Sequence, residues 1–146
     1  MEKEEYRKKV VEEAKTWIGT PWHHEARVKG GGVDCGMLIL EVFERVGLIP
    51  HVVPRHYGPD FMLNRGEEWY VGLILVYADE VFSPPFLPGD AIVMKNGRIF
   101  SHGGIIIEWP LIIHASCPDR IVLYGDMSKI PLSQRKRRIF RHKELF

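Results

Sequence analysis

The sequence predicts an α+β fold, and two observations carry that prediction. Helical periodicity of apolar residues is confined to the first half of the chain. After Pro84-Pro85 the pattern turns to short apolar runs separated by turn residues, as antiparallel strands require. A third observation points toward function: Gly30-Gly31-Gly32-Val33-Asp34 leads into Cys35 at the first turn of an expected helix.

The first element spans residues 3–18, where Tyr6, Val10, Val11, Ala14, Trp17 and Ile18 recur at helical spacing between Lys and Glu residues. Gly19, Thr20 and Pro21 end it, and a loop holding His23 and His24 runs to about residue 33. The second helix, about residues 34–46, sets Cys35, Leu38, Ile39, Val42, Phe43 and Val46 on one stripe. Asp34 is its expected N-cap and Gly47 its terminator. Pro50, Pro54, Gly58 and Pro59 mark a long irregular loop, and a third helix is expected within residues 60–81, around Trp69, Leu73, Val76 and Tyr77.

Strands are then expected at 90–95, 98–100, 103–108, 111–115, 121–124 and 138–141, with tight turns at Asn96-Gly97 and Trp109-Pro110. At 146 residues the chain fits one domain, with no internal repeat.

Composition excludes several classes. Apolar residues make up 45% and charged residues 27%, the balance of a globular protein. A net charge of +1 does not suggest nucleic-acid binding. The charge is uneven, however: residues 135–146 carry +5, which leaves −4 on the rest. The basic run 135–138 reads as a solvated edge, or as a contact for an anionic polymer or an acidic partner.

Two cysteines, Cys35 and Cys117, make no disulfide framework, although one bridge between them is conceivable. The charged N-terminus lacks a signal-type apolar segment and no run is long enough to span a bilayer. Cytoplasmic synthesis without membrane insertion is therefore expected. The seven histidines show no metal-ligand spacing, so neither metal nor cofactor is expected.

The chemistry centres on Cys35. A thiol at a helix N-terminus feels the positive end of the macrodipole, which favours thiolate. Nucleophilic catalysis also needs a base and a group that orients it. His102 opens the strand His102-Gly103-Gly104-Ile105-Ile106-Ile107, where it is expected to face a crevice. His114 stands at the far end of the strand beyond the Trp109-Pro110 turn, so the two can be neighbours. Backbone N–H groups at the start of the Cys35 helix, including Gly36, are candidate oxyanion donors.

Five segments in order resemble the NlpC family of papain-like cell-wall peptidases: Gly19-Thr20-Pro21-Trp22, the glycine-rich approach to Asp34-Cys35, Leu87-Pro88-Gly89-Asp90, Ser101-His102-Gly103-Gly104-Ile105, and Ile113-His114-Ala115-Ser116. Trp22-His23-His24-Glu25-Ala26, the Pro54, Tyr57 and Asp60 pattern and the late strand Ile139-Phe140-Arg141 are similar to the variety found in phage and gene-transfer-agent tails.

The resemblance implies a papain-like fold with the Cys helix packed on a C-terminal antiparallel sheet. It implies a cysteine endopeptidase acting on peptidoglycan stem peptides, at the γ-D-glutamyl-diaminopimelate bond, through a thioester. Cys35 would be the nucleophile, His102 the general base and acid, and His114 its orienting partner. Trp22, Asp34 and Gly36 would serve substrate or oxyanion. The implied partners are peptidoglycan and other phage tail proteins, and the implied destination is the cell wall, reached as part of a tail.

Two positions depart from the family pattern: Trp22 stands where a Tyr is usual, and Gly36-Met37 replaces Ser-Gly. They motivate a second reading, a catalytically silent tail-assembly or wall-binding module. A third keeps the cysteine chemistry on a different amide or thioester.

Overall fold

The structure, a computed structural model, describes residues 2–53, 66–96 and 99–146. Three helices precede most of the sheet: α1 (Lys3–Lys15), α2 (Cys35–Arg45) and α3 (Gly66–Tyr77). A two-stranded hairpin, β1 (Arg27–Val28) and β2 (Gly32–Val33), lies between α1 and α2. The main sheet comprises β3 (Ala78–Val81), β4 (Ala91–Asn96), β5 (Ile99–Glu108), β6 (Leu111–Ser116), β7 (Ile121–Asp126) and β8 (Arg137–His142). It is wholly antiparallel, in the order β3-β8-β4-β5-β6-β7.

Period-2 alternation gives the sheet two apolar faces. Ala91, Val93, Ile105, Ile113, Ala115, Val122 and Phe140 pack beneath the helices, with Val10, Ala14, Leu38 and Val42 above them. Ile92, Met94, Ile106, Ile112 and Ile139 form a second cluster on the opposite face, closed by Met127 and Leu132.

Several expectations are corrected. The first helix ends at Lys15; Trp17 still enters the core, because its indole N–H donates to Glu13 Oε2 at 2.9 Å and fixes the following turn. The loop before Cys35 contains the β1–β2 hairpin. The third helix gives way at Ala78 to β3, whose backbone pairs with β8. The strands expected at 98–100 and 103–108 are one strand, β5, carried past His102 by a bulge where the register shifts between Met94 and Lys95. Pro54, Gly58, Pro59, Gly97 and Arg98 lie outside the described residues. Cys35 and Cys117 are both free thiols.

Two features hold the site's frame. The chain from Gly19 to Trp22 lines the free edge of β7: Gly19 N–H donates to Val122 O, Val122 N–H to Thr20 O and Trp22 N–H to Arg120 O. Val33 N–H then donates to Pro21 O, so β2 and the start of α2 are tied to that edge. At the other side Asp90 is wholly buried. Arg7 reaches it from α1 at 3.3 Å, Arg141 grips both its oxygens from β8 at 2.9 and 2.8 Å, and Leu87 N–H completes its shell. The Arg7 guanidinium also donates to the Leu145 carbonyl.

Replacing Asp90 leaves two guanidinium groups without their shared anion. Asp90→Ala is therefore expected to lower the unfolding free energy by about 3–5 kcal/mol in urea denaturation, with a smaller loss for Asp90→Asn.

Candidate active site

Cys35 begins α2, and Asp34 caps it: Asp34 Oδ1 accepts from Met37 N–H at 2.9 Å, while Oδ2 accepts from Glu25 N–H at 2.8 Å. Both carboxylate oxygens thus hold the loop and the helix end together. The α2 N-terminus packs tightly against β5. A Cβ on Gly103 would run into the Tyr70 hydroxyl and lie 2.8 Å from Ile39 Cδ1, so glycine is what lets α2 and α3 close on the strand there. The Cys35 thiol, 2% exposed, donates to the Ser101 carbonyl at 3.4 Å, one residue from His102.

His102 and His114 meet as the sequence suggests. Gly104 pairs with His114, which sets His114 diagonally across from His102 on the same face. His102 Nε2 and His114 Nδ1 are 2.7 Å apart, with the ring planes at 87°. The His114 ring occupies space left by two glycines: a Cβ on Gly104 would come within 3.1 Å of His114 Cβ, and one on Gly125 within 2.9 Å of its Nε2. By strand alternation the rings share the face of Ile106 and Ile112, whereas Cys35 packs with the helix-side cluster. The Nδ1 of His102 makes no hydrogen bond among the described residues, and no bond yet joins it to the thiol.

The electrostatics differ from the sequence-based expectation in two ways. Burial pushes the Cys35 thiol up to about 12, and the Asp34 charge adds to the rise. Backbone hydrogen bonds from Gly103, Gly36 and Cys35 itself pull the other way but do not win. The resting thiol is therefore neutral, not the thiolate that the helix dipole alone predicts. The histidines are buried rather than crevice-facing, 4% and 5% exposed. Desolvation holds His102 down at about 3, with further lowering from His114 and Arg135. It holds His114 at about 4, partly offset by Asp119.

Of the other residues singled out, Trp22 is half-buried, with the Arg120 guanidinium 5.5 Å over its ring and its indole N–H buried without a partner among the described residues. Gly36 sits under the Tyr70 ring, 3.4 Å from where its Cβ would be. Met37 is buried and lines a small apolar cavity of about 50 Å³ between α2 and α3, with Leu40, Leu73 and Tyr77.

Tyr70 was not legible in the sequence as a site residue. It is 4% exposed, and burial, Cys35 and Asp34 raise its phenol well above the usual range. Its signal was the Gly103 it packs on, visible only once α3 is placed. Glu41, Glu44 and His51 bring ligand-type atoms within 4.8 Å, but Arg27 already engages Glu41 at 2.7 Å and His51 engages Glu44 at 2.5 Å.

Comparison with known proteins finds no matching family model and no matching curated protein. Solved structures do match. NlpC1 from Trichomonas vaginalis is 18% identical with a TM-score of 0.70, over 93% of this chain and 43% of that one. The NlpC/p60 domain of the peptidoglycan hydrolase SagA is 18% identical with a TM-score of 0.61, over 91% and 97%. The peptidoglycan hydrolase RipB from Mycobacterium tuberculosis is 16% identical with a TM-score of 0.66, over 95% and 65%. The chain thus spans less than half the length of NlpC1. Its fold is the papain-like α+β fold of the NlpC/P60 domains.

Two predictions follow from the neutral resting site. Iodoacetamide at pH 7.5 is expected to alkylate half-exposed Cys117 before Cys35, with Cys35 labelling rising only above pH 9; a Cys35 rate midpoint near pH 6 contradicts this. The lowered histidines stabilise the fold fully above pH 6.5, and that stability is lost as pH falls toward about 3. Urea denaturation is expected to show a loss of about 1 kcal/mol per pH unit per ring, down to about pH 4 for His114 and about pH 3 for His102, reduced in a His102→Gln/His114→Gln variant.

Proposed function

We propose that the chain is an NlpC-type cysteine peptidase domain, one domain over its 146 residues, that hydrolyses peptidoglycan stem peptides. The observation that carries this reading is that the Cys35 thiol, at the capped start of α2, bonds to the carbonyl of the residue before His102, whose ring meets His114 at 2.7 Å. The described relatives named as peptidoglycan hydrolases support the same substrate class.

In this reading substrate entry brings Cys35 and the His102 ring, which rest on opposite faces of the sheet, into contact, so that the thiol leaves the Ser101 carbonyl for His102 Nδ1. His102 takes the proton as the sulfur attacks the amide carbonyl, and returns it to the leaving amine as the thioester forms. Water, activated by the same ring, then releases the acid. With Nδ1 as the base, His102 Nε2–H donates to His114 Nδ1, which fixes the tautomer and steadies the transient imidazolium. The developing oxyanion meets N–H groups at the α2 N-terminus and the indole N–H of Trp22, which has no partner among the described residues and stands in place of the phenol usual in the family. The γ-D-glutamyl-diaminopimelate bond is the bond we assign, and delivery within a phage-type tail is the context that suits the sequence.

One observation favours a second reading. A neutral thiol bonded to a carbonyl, rather than to an imidazole, is what a silent wall-binding module would retain. Purified sacculi separate the two. The parent protein is expected to release stem-peptide fragments. Cys35→Ala is expected to release none, and His102→Gln to slow release by roughly 10²–10⁴-fold, each with an unchanged circular dichroism spectrum. Release undiminished in Cys35→Ala overturns the mechanism; no release by the parent selects the silent module.

A further inference from the structure

The basic run that opens β8 is not absorbed by the catalytic reading, and its placement is informative. Met94 pairs with His102 on one side and with Arg137 on the other. Arg137 therefore shares the histidine face of the sheet, and its guanidinium lies 5.2 Å over the Trp109 ring.

The chain reaches β8 through a short 3₁₀ turn, Leu132–Gln134, which packs against the same space as the site. Leu132 Cδ1 and His114 Nε2 lie 2.8 and 2.9 Å from one point, the position a Cβ on Gly125 would take. Arg135 follows directly, its N–H donating to Leu132 O at 3.1 Å.

The Arg135 side chain is half-buried, and among the described residues it makes no hydrogen bond or ion pair. Two arginines of β8 differ: Arg138 holds Glu80 at 2.6 Å and Arg141 holds Asp90 at 2.8 Å. Asp119, the anion that acts on His114, is engaged by the Ser116 hydroxyl at 2.7 Å. Arg135 thus stands one residue beyond the turn whose Leu132 packs toward His114, and its positive charge acts on both imidazoles. A half-buried guanidinium without an anion loses hydration and gains nothing in return, unless a ligand supplies the anion.

We infer that Arg135, beside the His102–His114 pair, is the recognition residue for a carboxylate that flanks the scissile amide of the substrate. This rests on the hydrolase reading and narrows it: the enzyme prefers peptides bearing a free acid next to the cleaved bond. A γ-linked glutamyl residue is such a substrate, since its α-carboxylate is separated from the scissile carbonyl by two methylenes and the α-carbon. The planar fork of arginine suits a two-oxygen acceptor in a way lysine does not.

The test uses synthetic L-Ala-γ-D-Glu-diaminopimelic acid in three forms: the free acid, the glutamyl α-amide, and the diaminopimelyl carboxamide. Each is given to the parent, Arg135→Gln and Arg135→Lys proteins. The parent is expected to favour the free acid over one of the two amides by roughly 10–100-fold in kcat/KM, mainly through KM. Arg135→Gln is expected to collapse that preference to within about threefold, and Arg135→Lys to restore part of it. Which amide loses the preference tells which side of the bond carries the recognised acid.

Equal losses on all three peptides, or a preference that survives Arg135→Gln, overturn the inference while leaving the hydrolase reading standing. If the parent cleaves none, the hydrolase reading fails, and calorimetry of the Cys35→Ala protein with the free acid decides the recognition claim. Binding that weakens in Cys35→Ala/Arg135→Gln supports it, and binding that does not overturns it.

Discussion

The close seating of the α2 N-terminus on β5 is the constraint on which the rest of this molecule depends. Three local facts produce it. Asp34 caps the helix with one oxygen and anchors the Glu25 backbone with the other. Gly103 offers no side chain, so Ile39 and Tyr70 close directly on the strand. The Gly19–Trp22 segment ties the loop before the helix to the edge of β7. Together they bring a cysteine from the helical half of the chain to the carbonyl before His102, from the strand half. No part of this is local in sequence: 66 residues separate Cys35 from its hydrogen-bond acceptor.

Burial on both faces of β5 explains the charge state of the site: the thiol and the Tyr70 phenol lie in the helix-side interface, the two imidazoles on the opposite face. A dry interface gives rigid positioning and penalises every charged form within it. The thiol, the two imidazoles and the Tyr70 phenol are all displaced toward neutrality, chiefly by desolvation. The helix dipole at Cys35 works against this and is outweighed, because the thiol is almost wholly buried and the Asp34 carboxylate lies beside it. In the proposed mechanism a neutral resting site defers charge separation until substrate is present, when proton transfer and oxyanion donors would act together.

Much of this was legible in the sequence. The α+β class followed from the switch of periodicity after Pro84-Pro85. Asp34 read as a cap from its position before an apolar stripe, and the His102–His114 contact followed from two strands joined by the Trp109-Pro110 turn. What was not legible depended on long-range pairing or on burial. β3 emerges at the end of an apolar helix because β8 is there to pair with it, and the bulge at Ser101 merges two expected strands. The neutral state of Cys35 could not be read from a helix-end position, since the dipole is local and desolvation is set by α3 and the sheet. Tyr70 was hidden for the same reason: its partner glycine lies 33 positions along the chain. The basic run read as a solvated edge, and only the Leu132–Gln134 turn shows that Arg135 follows a residue packed toward His114.

The central claim is that the Cys35 sulfur forms the covalent intermediate. Rapid acid quench of the parent protein with the free-acid stem peptide, followed by digestion and mass spectrometry, tests it most directly, because the chain holds two cysteines that serve as each other's control. The account predicts an acyl adduct on the fragment containing Cys35, labile to hydroxylamine, with none on Cys117. Turnover without an adduct on Cys35, or with the acyl group on Cys117, would contradict it.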